Sequence, residues 1–279
     1  MLPADEKSAP PMAAKRKDYF FIVGYPRSGT TLLSVLLDRH SRLCVTSETA
    51  FFDEIAPALR PSDNSLLLEV LSNWRRLPEL GLEPEMVRQR LGKSNWTAGD
   101  VFAALLDLYA LRRRKLRCGE KTPQHLLHVP TIRHLFPEAK IICLLRDGRE
   151  AALSLQGMPW GWGLPAAAEL WQQYVQLMEQ FVSQYPSHFM VVRYEDLLRS
   201  TENVLSRTME FLSECFEPGQ LDTNIPSQVV LPRSVQWKGK ALEPIDVHQA
   251  RRRCLEAKQE ELAFLERVLD RDLRRCGYA

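Results

Sequence analysis

Short apolar runs alternate with segments of helical periodicity along most of the chain. The runs lie at residues 19–23, 43–46, 141–145 and 189–192. Continuous apolar runs of this length are typical of parallel strands that are buried on both faces. The alternation predicts an α/β fold in three layers, a central parallel sheet flanked by helices, with right-handed crossovers.

The segments between these runs show where the helices begin and end. Asp63 and Thr97 are capping residues at the start of two predicted helices. Basic residues 112–115 close the second of these helices, where cations suit the negative end of the helix dipole. Further helices are predicted over residues 30–40, 166–184 and 201–213, and from about residue 247 onwards, where Leu262, Leu265, Leu269 and Leu273 share a face.

Composition and charge fit one globular α/β domain. The chain has 279 residues, and its 37 basic and 35 acidic residues give a formal charge of +2. This balance argues against nucleic acid as the main partner, but it is compatible with a local basic pocket for a small anion. Residues 1–18 are polar and contain prolines, so they are predicted to form a disordered lead-in to a single domain over residues 19–279.

The cysteines and the hydropathy pattern favour a cytoplasmic protein. None of the six cysteines is paired at C-x-x-C spacing, which suits a reducing compartment better than a disulfide framework. No stretch reaches the ~18 apolar residues of a membrane-spanning helix. We therefore expect a soluble protein without a membrane span, and the pattern says nothing of its oligomeric state.

Residues 24–31, GYPRSGTT, carry the most specific signal in the chain. They lead from the first predicted strand into a helix, so the turn aims backbone N–H groups and a helix N-terminus at an anion, usually a phosphate. The spacing matches the phosphate loop G-x-x-x-x-G-K-[ST], except that Thr30 replaces the lysine and Arg27 supplies a cation inside the loop. Nucleotide triphosphatases need that lysine on their outer phosphates. The sequence thus predicts a P-loop-type fold whose ligand is not the end of ATP.

Two further segments offer groups for anion chemistry. Arg146 ends a predicted strand and Ser154 lies in the next helix, and an arginine fork with a hydroxyl suits a monoester phosphate. Lys121 lies in GEKTPQH, upstream of that strand, and could follow charge that develops on a leaving group. On spacing alone, a surface arginine, a helix serine and a solvated loop lysine are the simpler interpretations.

Three segments in order carry a family resemblance: YPRSGTTLLSVLLDRH, GEKTPQHLLHVP and FPEAKIICLLRDGREAALSL. They resemble the sulfotransferases that use 3'-phosphoadenosine 5'-phosphosulfate, most closely the bacterial members related to protein-tyrosine sulfotransferases. The resemblance covers most of residues 19–198. It implies an enzyme that moves a sulfuryl group from this donor to an acceptor hydroxyl by in-line transfer, without a metal, and releases adenosine 3',5'-bisphosphate.

The resemblance also implies roles for individual residues. The donor-binding set would be Arg27, Ser28, Gly29, Thr30 and Thr31 at the 5'-phosphosulfate, Arg146 and Ser154 at the 3'-phosphate, Tyr194 near the adenosine, and Lys238 in a late basic loop that closes on the 3'-phosphate. Lys121 would lie against the transferring group or the leaving phosphate. Arg27 would share the stabilisation of charge there, so we count both among the catalytic residues.

The acceptor hydroxyl must lose a proton, and two residues are candidates for the base. Glu48 is the first choice, because it follows the second predicted strand and matches the base of the tyrosyl branch; a capping or ion-paired carboxylate on a loop is the alternative interpretation. His125 is the alternative, since it lies near Lys121 if that segment is helical. His128 is a weaker candidate, and both histidines could equally be packing residues.

The acceptor and two competing functions stay open. A tyrosyl peptide, phenol, sugar, glycolipid or polyketide alcohol could each carry the hydroxyl, and the glycine- and proline-flanked Trp160 and Trp162 are predicted to form a lid. A P-loop kinase or nucleotidase is the alternative enzyme, which the missing lysine disfavours. A non-catalytic nucleotide-binding regulator is the alternative of another class, disfavoured because such a protein needs neither Glu48 nor Lys121.

Overall fold

The computed structural model describes residues 18–92, 95–230 and 235–278, so the predicted lead-in lies outside the described residues except for Asp18. Within these ranges a five-stranded parallel sheet has the order β2-β3-β1-β4-β5. The strands are β1 (Phe20–Gly24), β2 (Leu43–Val45), β3 (Arg117–Lys121), β4 (Lys140–Leu145) and β5 (Phe189–Arg193). The predicted central parallel sheet is confirmed.

Helices cover both faces of this sheet. In chain order they are α1 (Thr30–Asp38), α2 (Phe51–Glu54), α3 (Asn64–Asn73), α4 (Pro84–Leu91), α5 (Ala98–Arg112), α6 (Val129–Leu135), α7 (Gly148–Gln156), α8 (Leu164–Gln184), α9 (Tyr194–Arg199), α10 (Thr201–Phe211), α11 (Val235–Lys238), α12 (Arg252–Glu256) and α13 (Gln259–Arg275). The Asp63 side chain caps α3, and Thr97 forms a capping box with Asp100 at the start of α5, as predicted. No helix in the described ranges combines the length and apolar character needed to cross a bilayer.

The C-terminal segment is broken, although one helix from about residue 247 was predicted. A short 3₁₀ turn, Val247–Ala250, precedes α12, and extended backbone at residues 257–258 separates α12 from α13. The Glu150 carboxylate of α7 accepts hydrogen bonds from the backbone N–H groups of Arg253 and Cys254. A side chain distant in sequence therefore fixes where α12 begins, which helical periodicity does not report.

Strand β3 was not predicted, because it is a polar sequence. It pairs with β2 on one side and β1 on the other, which places it inside the sheet. Its Glu120 and Lys121 side chains are both fully buried, but Lys121 is ion-paired with Glu48 and Glu120 is hydrogen-bonded to Thr49 and His125, so their polarity is compensated within the fold. A strand of this kind lacks the apolar run by which the other four were found.

The sheet divides the hydrophobic core into two layers. Phe21 and Val23 face the layer that includes α5, α8 and α13, where Leu265, Leu269 and Leu273 are buried on the predicted face. The alternate residues of β1, Phe20 and Ile22, face the layer that includes α1 and α10. Both faces of β1 are therefore covered, as its apolar sequence required.

Gly119 of β3 allows the Phe20 ring to pack against the strand. A Cβ at Gly119 would lie 2.1 Å from Cε2 of that buried ring. We expect Gly119→Ala to cost about 1–3 kcal/mol of unfolding free energy and to lower Tm by about 3–10 °C. The measurement is thermal unfolding followed by circular dichroism.

Gly163→Ala is the matched control for this prediction. Its added methyl group would meet no atom within 4 Å, so we expect its Tm to stay close to that of the wild type. Equal Tm values for the two variants would contradict the close packing of Phe20 on β3.

Candidate active site

The turn between β1 and α1 forms an anion cradle at the carboxyl edge of the sheet. Arg27 and Gly29 both have left-handed backbone, with φ of 71° and 93°. A Cβ at Gly29 would lie 2.2 Å from the Tyr194 ring, so only glycine fits between the turn and this ring. The turn delivers the N-terminus of α1 at Thr30, and the buried Ser28 hydroxyl has no hydrogen-bond partner within the described ranges. Unpaired donors at a helix N-terminus suit a bound anion.

The fold brings the predicted donor-binding residues together. Arg27 Nε donates to Ser154 Oγ at 3.3 Å, and Arg146 Nη1 donates to the Arg27 carbonyl oxygen at 3.0 Å. The guanidinium of Arg146 stacks on the Tyr194 ring, 4.6 Å from its centre. Burial and the nearby positive charge of Arg146 lower the pKa of Arg27. This crowding of like charges is relieved when an anion binds between them.

A cavity of about 420 Å³ opens in front of this cradle. Its lining includes Arg27 and residues 29–32 of the cradle, Ser154 of α7, Tyr194 of α9 and several residues between 236 and 253. The last group contributes Lys238, Lys240, Arg252 and Arg253, of which only Lys238 was predicted. The basic run at residues 251–253 was the signal available in the sequence, but it does not show that the run folds back over the loop.

Glu48 shares one carboxylate oxygen between two lysines. Its Oε1 lies 2.7 Å from Lys121 Nζ and 2.7 Å from Lys238 Nζ. Burial on its own raises the pKa of Glu48, but the charges and hydrogen bonds of the two lysines outweigh it and hold the pKa well below its usual range. Burial and the charge of Lys121 lower the pKa of Lys238 to about 8, against the opposing effect of Glu48. Lys238 thus contacts Glu48, the predicted base, whereas the family resemblance implied that Lys238 contacts the 3'-phosphate.

The His125 side chain is fully buried. Its Nδ1 lies 2.8 Å from Glu120 Oε2, and its buried Nε2 lies 3.9 Å from Asp53 Oδ2. His125 was predicted to lie near Lys121 on the condition that both lie in one helix. They do not, because Lys121 ends β3 and His125 lies in the 3₁₀ turn Pro123–His128. Neither His125 nor His128 is among the described residues that line the cavity, and the same holds for Glu48, Lys121 and Ser28, whereas Lys238 does line it. His128 Nε2 pairs with Asp53 Oδ1 at 2.8 Å on the protein surface.

The loop between α7 and α8 borders the same cavity. Its first part, Gly157 to Pro159, lines the cavity, while the Trp160 and Trp162 side chains are 50% and 52% exposed. Exposed tryptophans beside a ligand cavity suit contact with a further molecule. The lid role of these two residues stays a prediction.

The chain matches known proteins over most of its length. The profile of the sulfotransferase family matches residues 19–218. A putative protein-tyrosine sulfotransferase of Caenorhabditis briggsae is 25% identical over 209 residues, which cover 72% of this chain and 67% of that protein. The protein-tyrosine sulfotransferase of Drosophila melanogaster is 24% identical over 246 residues, which cover 81% of this chain and 45% of that protein. The chain therefore corresponds to part of these longer relatives.

Solved structures share the fold. The sulfotransferase domain of the Synechococcus PCC 7002 olefin synthase superposes with a TM-score of 0.63, at 24% identity, over 90% of this chain and 94% of that one. The sulfotransferase domain from the curacin biosynthetic pathway gives a TM-score of 0.58 at 22% identity. These likenesses confirm the predicted P-loop-type fold. The family profile covers well over half of the chain, which therefore belongs to the sulfotransferase family.

Proposed function

We propose that this chain transfers a sulfuryl group from 3'-phosphoadenosine 5'-phosphosulfate to an acceptor hydroxyl, with Glu48 as the general base. The observation that carries the proposal is the pairing of Glu48 with Lys121 and Lys238 beside the anion cradle, at 2.7 Å from each amine. A base and two cations then lie at one edge of the sheet. A protein that only binds nucleotides needs no such group.

The cradle residues fit a nucleotide with two separate anionic groups. The buried atoms Ser28 Oγ and Arg146 Nε have no hydrogen-bond partner within the described ranges. The volume of about 420 Å³ lies within the usual range of about 300–1,000 Å³ for ligand sites. We propose that residues 27–31 hold the 5'-phosphosulfate, that Arg146 and Ser154 hold the 3'-phosphate, and that Tyr194 contacts the nucleoside.

Lys121 and Lys238 link donor binding to the pKa of Glu48. When bound, the donor supplies a sulfuryl group on a phosphate leaving group. Its anionic oxygens compete with Glu48 for Lys121 and Lys238, so the pKa of Glu48 rises from its depressed value. Glu48 can then take the proton of an attacking hydroxyl, while the lysines follow the charge that develops on the leaving oxygen.

The acceptor class and the location belong to the same proposal. Relatives named as protein-tyrosine sulfotransferases make a tyrosyl hydroxyl one candidate acceptor, beside phenols, sugars, glycolipids and polyketide alcohols. All six cysteines are free thiols, which supports the reducing cytoplasm as the location. The absence of a metal from the reaction stays a prediction.

Glu48→Gln tests the base. We expect kcat to fall by about 10²- to 10⁴-fold, because the amide cannot accept the proton. Affinity for adenosine 3',5'-bisphosphate should be unchanged or tighter, since a negative charge is removed beside two lysines. The measurements are transfer of radioactive sulfate from labelled donor to the best acceptor in a hydroxyl panel, and calorimetric titration with the bisphosphate.

Glu69→Gln is the matched control, because Glu69 is an exposed carboxylate on α3. His125→Ala is measured in parallel. Full turnover in Glu48→Gln would remove Glu48 from the role of base. Bisphosphate binding without transfer to any acceptor in the panel, or in a labelled cell extract, would favour the nucleotide-binding regulator.

Lys238→Met tests which end of the donor this lysine serves. Because its amine contacts Glu48, we expect binding of adenosine 5'-phosphosulfate to weaken by about 10-fold and binding of adenosine 3',5'-bisphosphate to weaken much less. Lys240→Met removes a charge from the same segment and should weaken both nucleotides alike. A loss confined to the bisphosphate would instead assign Lys238 to the 3'-phosphate.

The charge of Lys238 should set an alkaline limit to activity. Its pKa is lowered to about 8, so the amine loses its proton and its hold on anions as the pH rises through this value. We expect kcat/KM for the donor to fall above about pH 8, since this parameter reports the free enzyme. Lys238→Arg keeps the charge and should move the fall to higher pH. An unchanged midpoint in this variant would assign the limit to another group.

A further inference from the structure

We propose that the buried pair Glu120 and His125 acts as a positioning device for the turn that carries Glu48. Both side chains are fully buried, and neither lines the donor cavity within the described ranges. The proposal rests on the proposed role of Glu48 as base. It gives these two residues of the segment GEKTPQH a function that does not require contact with either substrate.

Residues at the end of β3 hold the turn after β2 through their side chains. Glu120 Oε1 accepts hydrogen bonds from Thr49 N at 3.2 Å and from Thr49 Oγ1 at 2.8 Å. Lys121 holds the neighbouring Glu48 carboxylate, and Thr122 Oγ1 accepts from Ala50 N at 3.0 Å. Thr122 in turn donates to Glu120 Oε1 at 2.6 Å. The backbone that follows Glu48, at Thr49 and Ala50, is thus held by side chains at the end of β3 and just after it.

The turn needs this support because its own conformation is unfavourable. Ala50 has a φ of 47°, in the left-handed region that residues with a Cβ rarely occupy. Strand β2 is only three residues long and lies at the edge of the sheet. Arg76 also contributes, since its Nη1 donates to the Glu48 carbonyl oxygen at 2.8 Å.

His125 lies against the second oxygen of Glu120, with its Nδ1 2.8 Å from Oε2. Burial on its own raises the pKa of Glu120, but His125, Thr122 and Thr49 outweigh it and lower the pKa. Glu120 is therefore an ionised acceptor, which binds N–H and O–H donors more strongly than a neutral group does. The buried Nε2 of His125 has no hydrogen-bond partner within the described ranges and lies 3.9 Å from Asp53 Oδ2.

Substitution of Glu120 tests the device. We expect Glu120→Ala to lower kcat by about 10- to 100-fold through misplacement of Glu48, with little change in the affinity for adenosine 3',5'-bisphosphate. Glu120→Gln keeps an acceptor for Thr49 and Thr122 and should recover most of this loss. Asp272→Asn is the matched control, because Asp272 is a buried carboxylate on α13 that contacts Gln172. We expect this control to keep the wild-type kcat.

Amide hydrogen exchange reports on the turn directly. Peptides covering residues 46–54 should exchange faster in Glu120→Ala than in the wild type, while peptides from β1 and β4 should not change. If Glu120→Ala does not fold, Thr122→Val serves instead, because it removes the acceptor for Ala50 N at nearly constant volume. Unchanged exchange over residues 46–54 in a folded variant would overturn the proposal.

A double-mutant cycle separates this inference from the proposed function. If Glu120 acts through Glu48, Glu120→Ala should lower the single-turnover rate in the wild type but have little further effect in Glu48→Gln. If the rate losses of the two single variants multiply in the double variant, the positioning role of Glu120 is overturned while Glu48 remains the base. Full activity of Glu48→Gln alone would instead overturn the proposed function. A double variant with a residual rate too low to measure would leave the exchange result as the deciding measurement.

Discussion

The sharing of the Glu48 carboxylate between Lys121 and Lys238 is the interaction on which the site depends. One lysine ends a central strand and is fully buried, and the other belongs to a helix near the far end of the sequence. Neither amine could lie there without a counter-charge, because isolated buried cations are strongly disfavoured. The carboxylate therefore joins two distant parts of the chain, and in the proposed function it acts as the base once the donor's anionic oxygens bind the lysines.

The segment over residues 235–254 is attached to the rest of the site by groups to which the proposed function gives a part in donor binding. Arg146 Nη2 donates to the Gln249 carbonyl oxygen at 3.2 Å, and Glu150, which pairs with Arg146, accepts from the backbone at the start of α12. Together with the Lys238–Glu48 pair, these bonds hold basic residues of this segment in the lining of the cavity that Arg27 and Thr30 also line. Under the proposed function, donor binding and the position of this segment are physically coupled, since the same charged groups take part in both.

Apolar strands and local helix caps could be predicted from the sequence, whereas elements fixed by buried polar groups could not. Four of the five strands were predicted because they are apolar, and β3 was missed because its Glu120 and Lys121 are polar. The capping residues of α3 and α5 were predicted because a cap acts on the nearest backbone groups. The start of α12 was missed because Glu150, more than a hundred residues away, accepts its first N–H groups.

The sequence by itself determined the anion loop, the parallel sheet and the positions of Arg146 and Ser154, because these depend on local backbone geometry and on apolar periodicity. The tertiary structure alone decided which charges meet: Lys121 and Lys238, from two distant segments, both with Glu48. The physical reason is that a charged side chain can be buried only where another segment supplies its counter-charge. Such a partner is fixed by the packing of the whole chain, and no local pattern records it.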